Sequence, residues 1–265
     1  MVFSIVTICK NEGLSLQKTL ASIEEQTFRD FELIFIDGHS TDPLTRSAID
    51  KSLDKFSYFV SETDSGIYNA QNKGLSKASG NFVLFLNAGD MFAHPKVLER
   101  VSTVMGAKAA DVYYGDMWIE NADQTKTLGK MPKQIHIFHM LRSTLWHPAS
   151  FIRRSLFDEF GTYNENLKIV SDYEFFLKLV VSKKVTFLHV NETISVFNLK
   201  GIGSSPRYRG LHQAERYQVQ KELVSVYFRL LFFLYNKCGL ALLRKSTKVF
   251  WHAFSRVRLK RVNDK

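Results

Sequence analysis

The sequence predicts an α/β protein with a mostly parallel central sheet, helices on both faces of it, and an amphipathic helical extension at the C-terminal end. Two observations predict the sheet. Short apolar runs recur between segments of helical periodicity, as repeated strand–helix–strand units require. These runs also end in small polar turns that carry carboxylates. The third observation, the charge distribution, sets the extension apart. The net charge is +10, and residues 221–265 hold eleven Lys/Arg against two Asp/Glu, so nine of those ten charges lie there.

The elements follow in order. Phe3–Ile8 is a strand-length segment rich in aromatic and β-branched residues, and Leu16, Leu20 and Ile23 then mark one face of a helix. Phe31–Ile36 forms a second strand, after which Asp42 caps a helix opened by Pro43. Tyr58–Val60 is a short third strand and Ile67–Lys77 a helix. Phe82–Leu86 is apolar throughout, which fits a strand buried on both faces, and it runs into Asn87-Ala88-Gly89-Asp90. In open α/β sheets, ligands bind beyond the carboxyl ends of the strands. Asp90 therefore stands where such a fold places its chemistry. The other runs end alike, in Asn11-Glu12-Gly13, in Asp37-Gly38, in Glu62-Thr63-Asp64, and in Asp116 after Val112-Tyr-Tyr-Gly. Each acid alone is also explained as a helix cap or turn residue, and for Asp42 the cap is preferred. Together they suit Mg²⁺ or Mn²⁺ beside phosphates.

Composition narrows the class further. At 265 residues with 45% hydrophobic content, the chain can bury a full core and is not disordered. Two cysteines, Cys9 and Cys238, are too few for a disulfide framework, so a cytoplasmic setting is expected. The first residues, MVFSIVTICKNE, lack the basic leader and cleavage site of a signal peptide. No Gly-x-Gly-x-x-Gly or Walker-type loop follows the first strand, which argues against dinucleotide or ATP binding.

Four ordered blocks carry a family resemblance: SIVTICKNE, FELIFIDGHSTD, SETDSGIYNAQNKGLSKASGNFVLFLNAGD and HPASFIRRSLFDEFGTYNENLKIVSDYEFFLKL. Over roughly Val2 to Ser205 the chain resembles the family 2 inverting glycosyltransferases, particularly bacterial enzymes of exopolysaccharide, capsule and O-antigen assembly. The resemblance implies the nucleotide-diphospho-sugar transferase (GT-A) fold. Residues 1–205 would form the catalytic domain, with a donor-binding half to about residue 115 and an acceptor half from 116. It also implies roles. Thr7, Asn11 and Glu12 would wall the nucleoside pocket, Asp37 would accept a hydrogen bond from the base (commonly uracil), and Asp64 would lie on the same donor side. Asn87, Ala88, Gly89 and Asp90 occupy the place of the metal-binding Asp-x-Asp loop, with Asp90 its one strong ligand. Gln71 stands where many relatives carry a phosphate-contacting arginine, so Lys73 is expected to supply that charge. Asp172 matches the catalytic base, and the alternative for it is an N-cap of a helix Tyr173–Ser182. His147, Arg153 and Asp116 are expected toward the acceptor and diphosphate side. The implied cofactor is Mg²⁺ or Mn²⁺, and the implied partners are a nucleotide-sugar donor and a lipid-linked glycan acceptor.

Physical chemistry agrees with these roles. Departure of a nucleoside diphosphate leaves negative phosphates that a divalent ion offsets, and an acceptor hydroxyl needs a carboxylate within hydrogen-bond reach. Lys200-Gly-Ile-Gly-Ser-Ser205 has the glycines of a loop able to close over the donor. Gln213-Ala-Glu-Arg216-Tyr217 matches the Gln-x-x-Arg-Trp segment of processive synthases in part, and is read as a helix surface. In the extension, 206–265, Phe250, Ala253, Phe254 and Val257 recur at i, i+3, i+4 and i+7 with Lys248, Arg256 and Arg258 between them. That pattern fits a cationic helix lying on an anionic membrane surface, rather than a nucleic-acid partner. The apolar part, Leu230–Leu243, is interrupted by Lys237 and is shorter than the roughly 20 residues of a span. A peripheral position on the cytoplasmic face of the inner membrane follows, with a hairpin packed on the core or on a dimer partner as the alternative. The rival functions are a sugar-1-phosphate nucleotidyltransferase and a non-catalytic nucleotide-sugar-binding protein.

Overall fold

The computed structural model describes residues 1–121, 123–199 and 206–237. In chain order the elements are β1 (Phe3–Cys9), α1 (Leu14–Glu24), β2 (Phe31–Asp37), α2 (Pro43–Asp50), β3 (Tyr58–Ser61), α3 (Ile67–Leu75), β4 (Phe82–Phe85) and β5 (Met91–Phe92). They continue with α4 (Val97–Ala107), β6 (Val112–Glu120), β7 (Lys126–Gly129), α5 (Ile137–Arg142), β8 (Ser150–Arg153), α6 (Ser155–Phe160), α7 (Ser171–Ser182), β9 (Phe187–Asn198), α8 (Arg209–Leu223) and α9 (Val226–Lys237).

These strands make one mixed sheet in the order β3-β2-β1-β4-β8-β6-β9-β5, with β7 hydrogen-bonded to β6. The N-terminal part of the sheet is parallel, as the alternation of elements predicts: β1 pairs in parallel with β2 and β4, and β2 with β3. The C-terminal part is mixed. There β8 runs antiparallel between β4 and β6, and β5 antiparallel to β9, whereas β6 and β9 are parallel.

Successive strand residues feed opposite layers, because side chains alternate across a pleated sheet. Ile34 and Ile36 pack with Val6, Phe85 and Tyr114 beneath α3 and α7. Leu33 and Phe35 pack with Ile5, Leu84 and Tyr113 beneath α1, α2 and α4. Both layers are well buried, with Val6, Ile34, Phe35, Leu84 and Phe85 fully inaccessible. Asp42 caps α2 as predicted, its side chain accepting from Thr45 N–H at 2.8 Å.

The start of the extension belongs to this body. Val219 of α8, then Val224 and Phe228, are buried in the α3/α7 layer, and the Phe232 ring lies 6.2 Å from that of Phe138. The closing loop 200–205 and the helical pattern from Phe250 to Val257 lie outside the described residues. Among the described residues, no helix is long and apolar enough to cross a membrane.

Candidate active site

The carboxyl ends of β1 and β4 open into a cavity of about 380 Å³ that is closed from the other side by the starts of α7 and α8. Glu12, Gln71, Asn87, Ala88, Gly89, Asp90, His147 and Asp172 are among the residues that line it.

The loop after β4 turns inward at once. Gly89 takes φ +103, a left-handed value that favours glycine. Its N–H donates to Thr19 Oγ1 at 2.9 Å, and Asp90 N–H donates back to Asn87 C=O at 2.9 Å. Asp90 consequently points into the protein, is only 5% exposed, and accepts from Asn198 N–H at 3.3 Å. Burial raises the Asp90 carboxyl to about 7, partly opposed by the nearby His147.

Asp172 has the opposite environment. It is the second residue of α7, which begins at Ser171 after Val170, so it is not the N-cap that its sequence position also allowed. Tyr68 OH donates to its Oδ1 at 2.9 Å, and His147 Nδ1 lies 3.2 Å from its Oδ2. Burial pushes this carboxyl up, but the His147 and Tyr68 bonds prevail and hold it below the usual carboxylate range. His147 is raised in turn: burial works against its charge, and Asp172 then Asp90 outweigh that effect. The chain of contacts continues. Asn87 Nδ2 lies 3.3 Å from His147 Nε2, and Gln71 Nε2 donates to Asn87 Oδ1 at 3.1 Å.

The remaining sequence-predicted residues lie outside this cavity. Asp37 is buried at the end of β2, accepting from Ser40 N–H, the Ser40 hydroxyl and the Ser61 hydroxyl. Asn11 bridges to the next strand end, its Oδ1 accepting from Thr41 and Asp42 N–H. Thr7 is fully buried in β1, and Asp64 accepts from Gly66 N–H at 3.1 Å. Lys73 pairs with Glu62 at 2.7 Å, so its charge is engaged at the surface of α3 rather than in the cavity. Arg153 is paired with Phe82, the first residue of β4, because β8 is antiparallel. That places it at the opposite end of the sheet from Asp90, where it pairs with Asp111 at 3.0 Å. Asp116 accepts from Met131 N–H and faces His189 Nε2 across 3.1 Å, in a corner of β6 and β9.

Two residues escaped the sequence reading. Tyr68 is not singled out by the sequence pattern of α3, although it lies one turn before Gln71 on the same face. Arg216 was assigned to a helix surface, yet it lines the cavity, lies 4.0 Å over the Tyr173 ring and donates to the Met140 and Ser143 carbonyls. Its neighbour Glu215 is buried and accepts from Lys168 and Ile169 N–H at 2.8 and 3.0 Å, pinning the segment that precedes Asp172.

A parallel N-terminal part of the sheet, a mixed C-terminal part, and a carboxylate-bearing cavity at the carboxyl ends of β1 and β4 fit the nucleotide-diphospho-sugar transferase (GT-A) fold. The chain belongs to glycosyl transferase family 2, whose model matches residues 4–161, and it is a glycosyltransferase. It is 30% identical over 200 residues to a PGL/p-HBAD biosynthesis glycosyltransferase of Mycobacterium bovis, covering 74% of this chain and 77% of that one. It is 31% identical over 207 residues to an uncharacterized glycosyltransferase of Mycobacterium tuberculosis, covering 76% of each. Among solved structures it shares its fold with S. aureus TarS (residues 1–349) in complex with UDP-GlcNAc. The TM-score is 0.64 at 18% identity, covering 86% of this chain and 73% of that one. It likewise resembles the mannosyltransferase PcManGT from Pyrobaculum calidifontis in complex with GDP-Man and Mn²⁺, with TM-score 0.57 and 13% identity, covering 97% and 81%.

Proposed function

We propose that the chain transfers a sugar, with inversion and one residue at a time, from a nucleotide-diphospho-sugar to a hydroxyl of a lipid-linked glycan, at the cytoplasmic face of a membrane. The observation that carries this reading is the divergence of two carboxylates in one cavity. Asp172 is held ionised by two donors, and Asp90 is pushed toward protonation by burial. Paired groups driven apart in this way take different chemical roles.

Asp172 accepts the proton of the acceptor hydroxyl. Its basicity is modest, which suffices because the hydroxyl becomes acidic as it bonds to an electron-poor anomeric carbon. Tyr68 and His147 fix the direction of its lone pairs. Attack by the acceptor oxygen opposite the departing diphosphate inverts the anomeric centre, so one base suffices and no nucleophilic carboxylate is needed.

Asp90 is the residue that would hold Mg²⁺ or Mn²⁺. Among the described residues, no three His, Cys, Asp or Glu side chains converge as a metal cage. One buried carboxylate fits an ion whose coordination is completed by phosphate oxygens and water. A cation there would keep Asp90 ionised despite its burial. Bound, the ion offsets the charge that develops on the departing diphosphate. Asp37, at the ends of β2 and β3, supports a uridine-type base, and UDP-sugar is the favoured donor. The mycobacterial relative named for PGL/p-HBAD biosynthesis and the solved relatives with bound UDP-GlcNAc and GDP-Man support a nucleotide-sugar reading. The exposed face of α9, with Val226, Tyr227, Leu230 and Phe233 each more than half exposed, supports contact with a lipid surface. It leads into the cationic residues 238–265.

A thermal-shift screen of nucleotide-sugars with and without Mn²⁺ tests the proposal. A UDP-sugar that stabilises the protein only with the metal is expected, through preferential binding to the native state. No stabilisation by any nucleotide-sugar would overturn it.

A further inference from the structure

Arg216 and Lys168 bring positive charge to the cavity that holds the two carboxylates. Arg216 lies 4.0 Å over the ring of Tyr173, the residue that follows Asp172. Its Nη2 donates to the Met140 and Ser143 carbonyls, which fixes the side chain through neutral acceptors. That contact suffices to tie α8 to α5, and it uses only one of the three guanidinium nitrogens. Among the described residues, the Nε and Nη1 hydrogens have no protein acceptor. The adjacent acids are engaged elsewhere. Glu215 accepts from Lys168 and Ile169 N–H, and Asp172 accepts from Tyr68 OH and faces His147. Among the described residues, neither Arg216 nor Lys168 forms an ion pair, in contrast to Lys73 with Glu62 and Arg153 with Asp111. Burial lowers the Arg216 pKa, and Tyr173 and Asp172 offset part of that cost. His212 stands one turn before Arg216 on α8 and lines the same cavity.

A half-buried guanidinium with a free fork, a lysine and an imidazole suit a phosphate. The fork takes two of its oxygens, and the lysine adds a second charge. We propose that Arg216, Lys168 and His212 form a phosphate subsite beside Asp172, through which the enzyme recognises a phosphate group on its acceptor. The inference rests on the reading of Asp172 as general base and names the acceptor class that reading leaves open. Because Tyr173 adjoins Asp172 in the chain, a phosphate on this fork lies close to the base. The phosphate is therefore borne by the attacked sugar or by its immediate neighbour, as in a short glycan joined to its lipid through phosphate. The donor diphosphate has a separate place, at the Asp90 loop after β4, whereas these cations come from α8 and the segment before α7.

Inorganic phosphate is the probe, followed through the Arg216 Nε–H signal in ¹⁵N spectra of the full chain. Contact with the Tyr173 ring identifies that signal. Phosphate should shift it saturably, whereas sodium chloride of equal ionic strength should leave it in place. The shift should persist when UDP and Mg²⁺ fill the donor site. Lys168 is exposed, so Lys168→Gln should fold and bind UDP normally while phosphate affinity falls about tenfold. No shift, a shift that chloride reproduces, or unchanged affinity in Lys168→Gln would overturn the proposal. A response abolished by UDP and Mg²⁺ would assign these cations to the donor diphosphate and overturn it likewise. Failure of UDP to bind the wild type is a separate observation, and it would overturn the reading of the site and this proposal with it.

Discussion

Tyr68 OH donates to Asp172 Oδ1 across 2.9 Å and also lies 2.6 Å from the Ile169 carbonyl, joining α3 to the start of α7. A single phenol proton shared between these acceptors directs one carboxylate oxygen toward the phenol and leaves the other to His147. Burial and the adjacent Asp172 charge keep Tyr68 protonated well beyond its ordinary range. Tyr68→Phe should therefore raise the Asp172 pKa and shift the acid limb of the rate upward, with transfer lowered about tenfold. The fold should lose about 1 kcal/mol for one hydrogen bond. A pH–rate profile identical to wild type would exclude the contact from function.

The Asp172–His147 pair also predicts how stability depends on pH. Asp172 has a folded-state pKa below its ordinary 3.8, so its contribution is present above that value and is lost as pH falls through the depressed one. His147 is raised above its ordinary 6.5, so its contribution is present below 6.5 and is lost as pH rises through the folded value. The pair thus stabilises most between these limits. His147→Gln should flatten the alkaline side of the unfolding free energy, measured by urea denaturation across pH. A wild-type curve that gains stability from pH 6 to 8 would contradict this.

Asp90 has the reverse linkage. Its raised pKa means that ionising it costs stability, increasingly so as pH rises from about 4 to about 7. Without metal at pH 8, Asp90→Asn should melt several degrees above wild type. The same variant should lose Mn²⁺-dependent stabilisation by UDP. Unchanged metal dependence in the variant would remove Asp90 as the ligand.

Much of the N-terminal, parallel part was legible because its signals are local. The hydrophobic segments starting at Phe3, Phe31 and Phe82 each state a strand, and each strand end shows its acid. The C-terminal, mixed part was less legible, because β8 and β5 reverse direction through contacts between residues far apart in sequence. Arg153 illustrates this: it follows His147 closely in sequence, yet the antiparallel strand carries it to the far end of the sheet. Lys73 looked available until the fold brought Glu62 beside it. The inward turn of Asp90 depends on Thr19 and Asn198, neither of which is near it in the chain. Tyr68 and Arg216 were hidden for the same reason.

Glu215 connects α8 to the segment preceding Asp172. Removing its carboxylate leaves the Lys168 and Ile169 N–H groups without their acceptor, at about 1–3 kcal/mol each. Glu215→Ala should therefore lower both the melting temperature and the transfer rate, while Glu215→Gln, which retains one acceptor oxygen, restores part of each. Full activity in the alanine variant would show that the 168–170 segment holds itself.

Removing residues 238–265 leaves the buried Val224 and Phe228 in place. The shortened protein should bind donor normally but release from anionic liposomes, since each Lys or Arg near such a surface adds about 1 kcal/mol. Binding by the intact chain should weaken with salt without vanishing, because its apolar contacts are unscreened. A truncated protein that still sediments with those liposomes would rule out this segment as the anchor.

The central claim is that Asp172 takes the acceptor proton, and its most direct test is Asp172→Asn assayed for transfer and for donor binding on the same preparation. The amide keeps the shape and a hydrogen bond to Tyr68 but cannot accept the proton at neutral pH. Transfer should fall by at least about 100-fold, while nucleotide-sugar affinity stays near wild type. Transfer surviving within a few-fold of wild type would contradict the account and place the base elsewhere in the cavity.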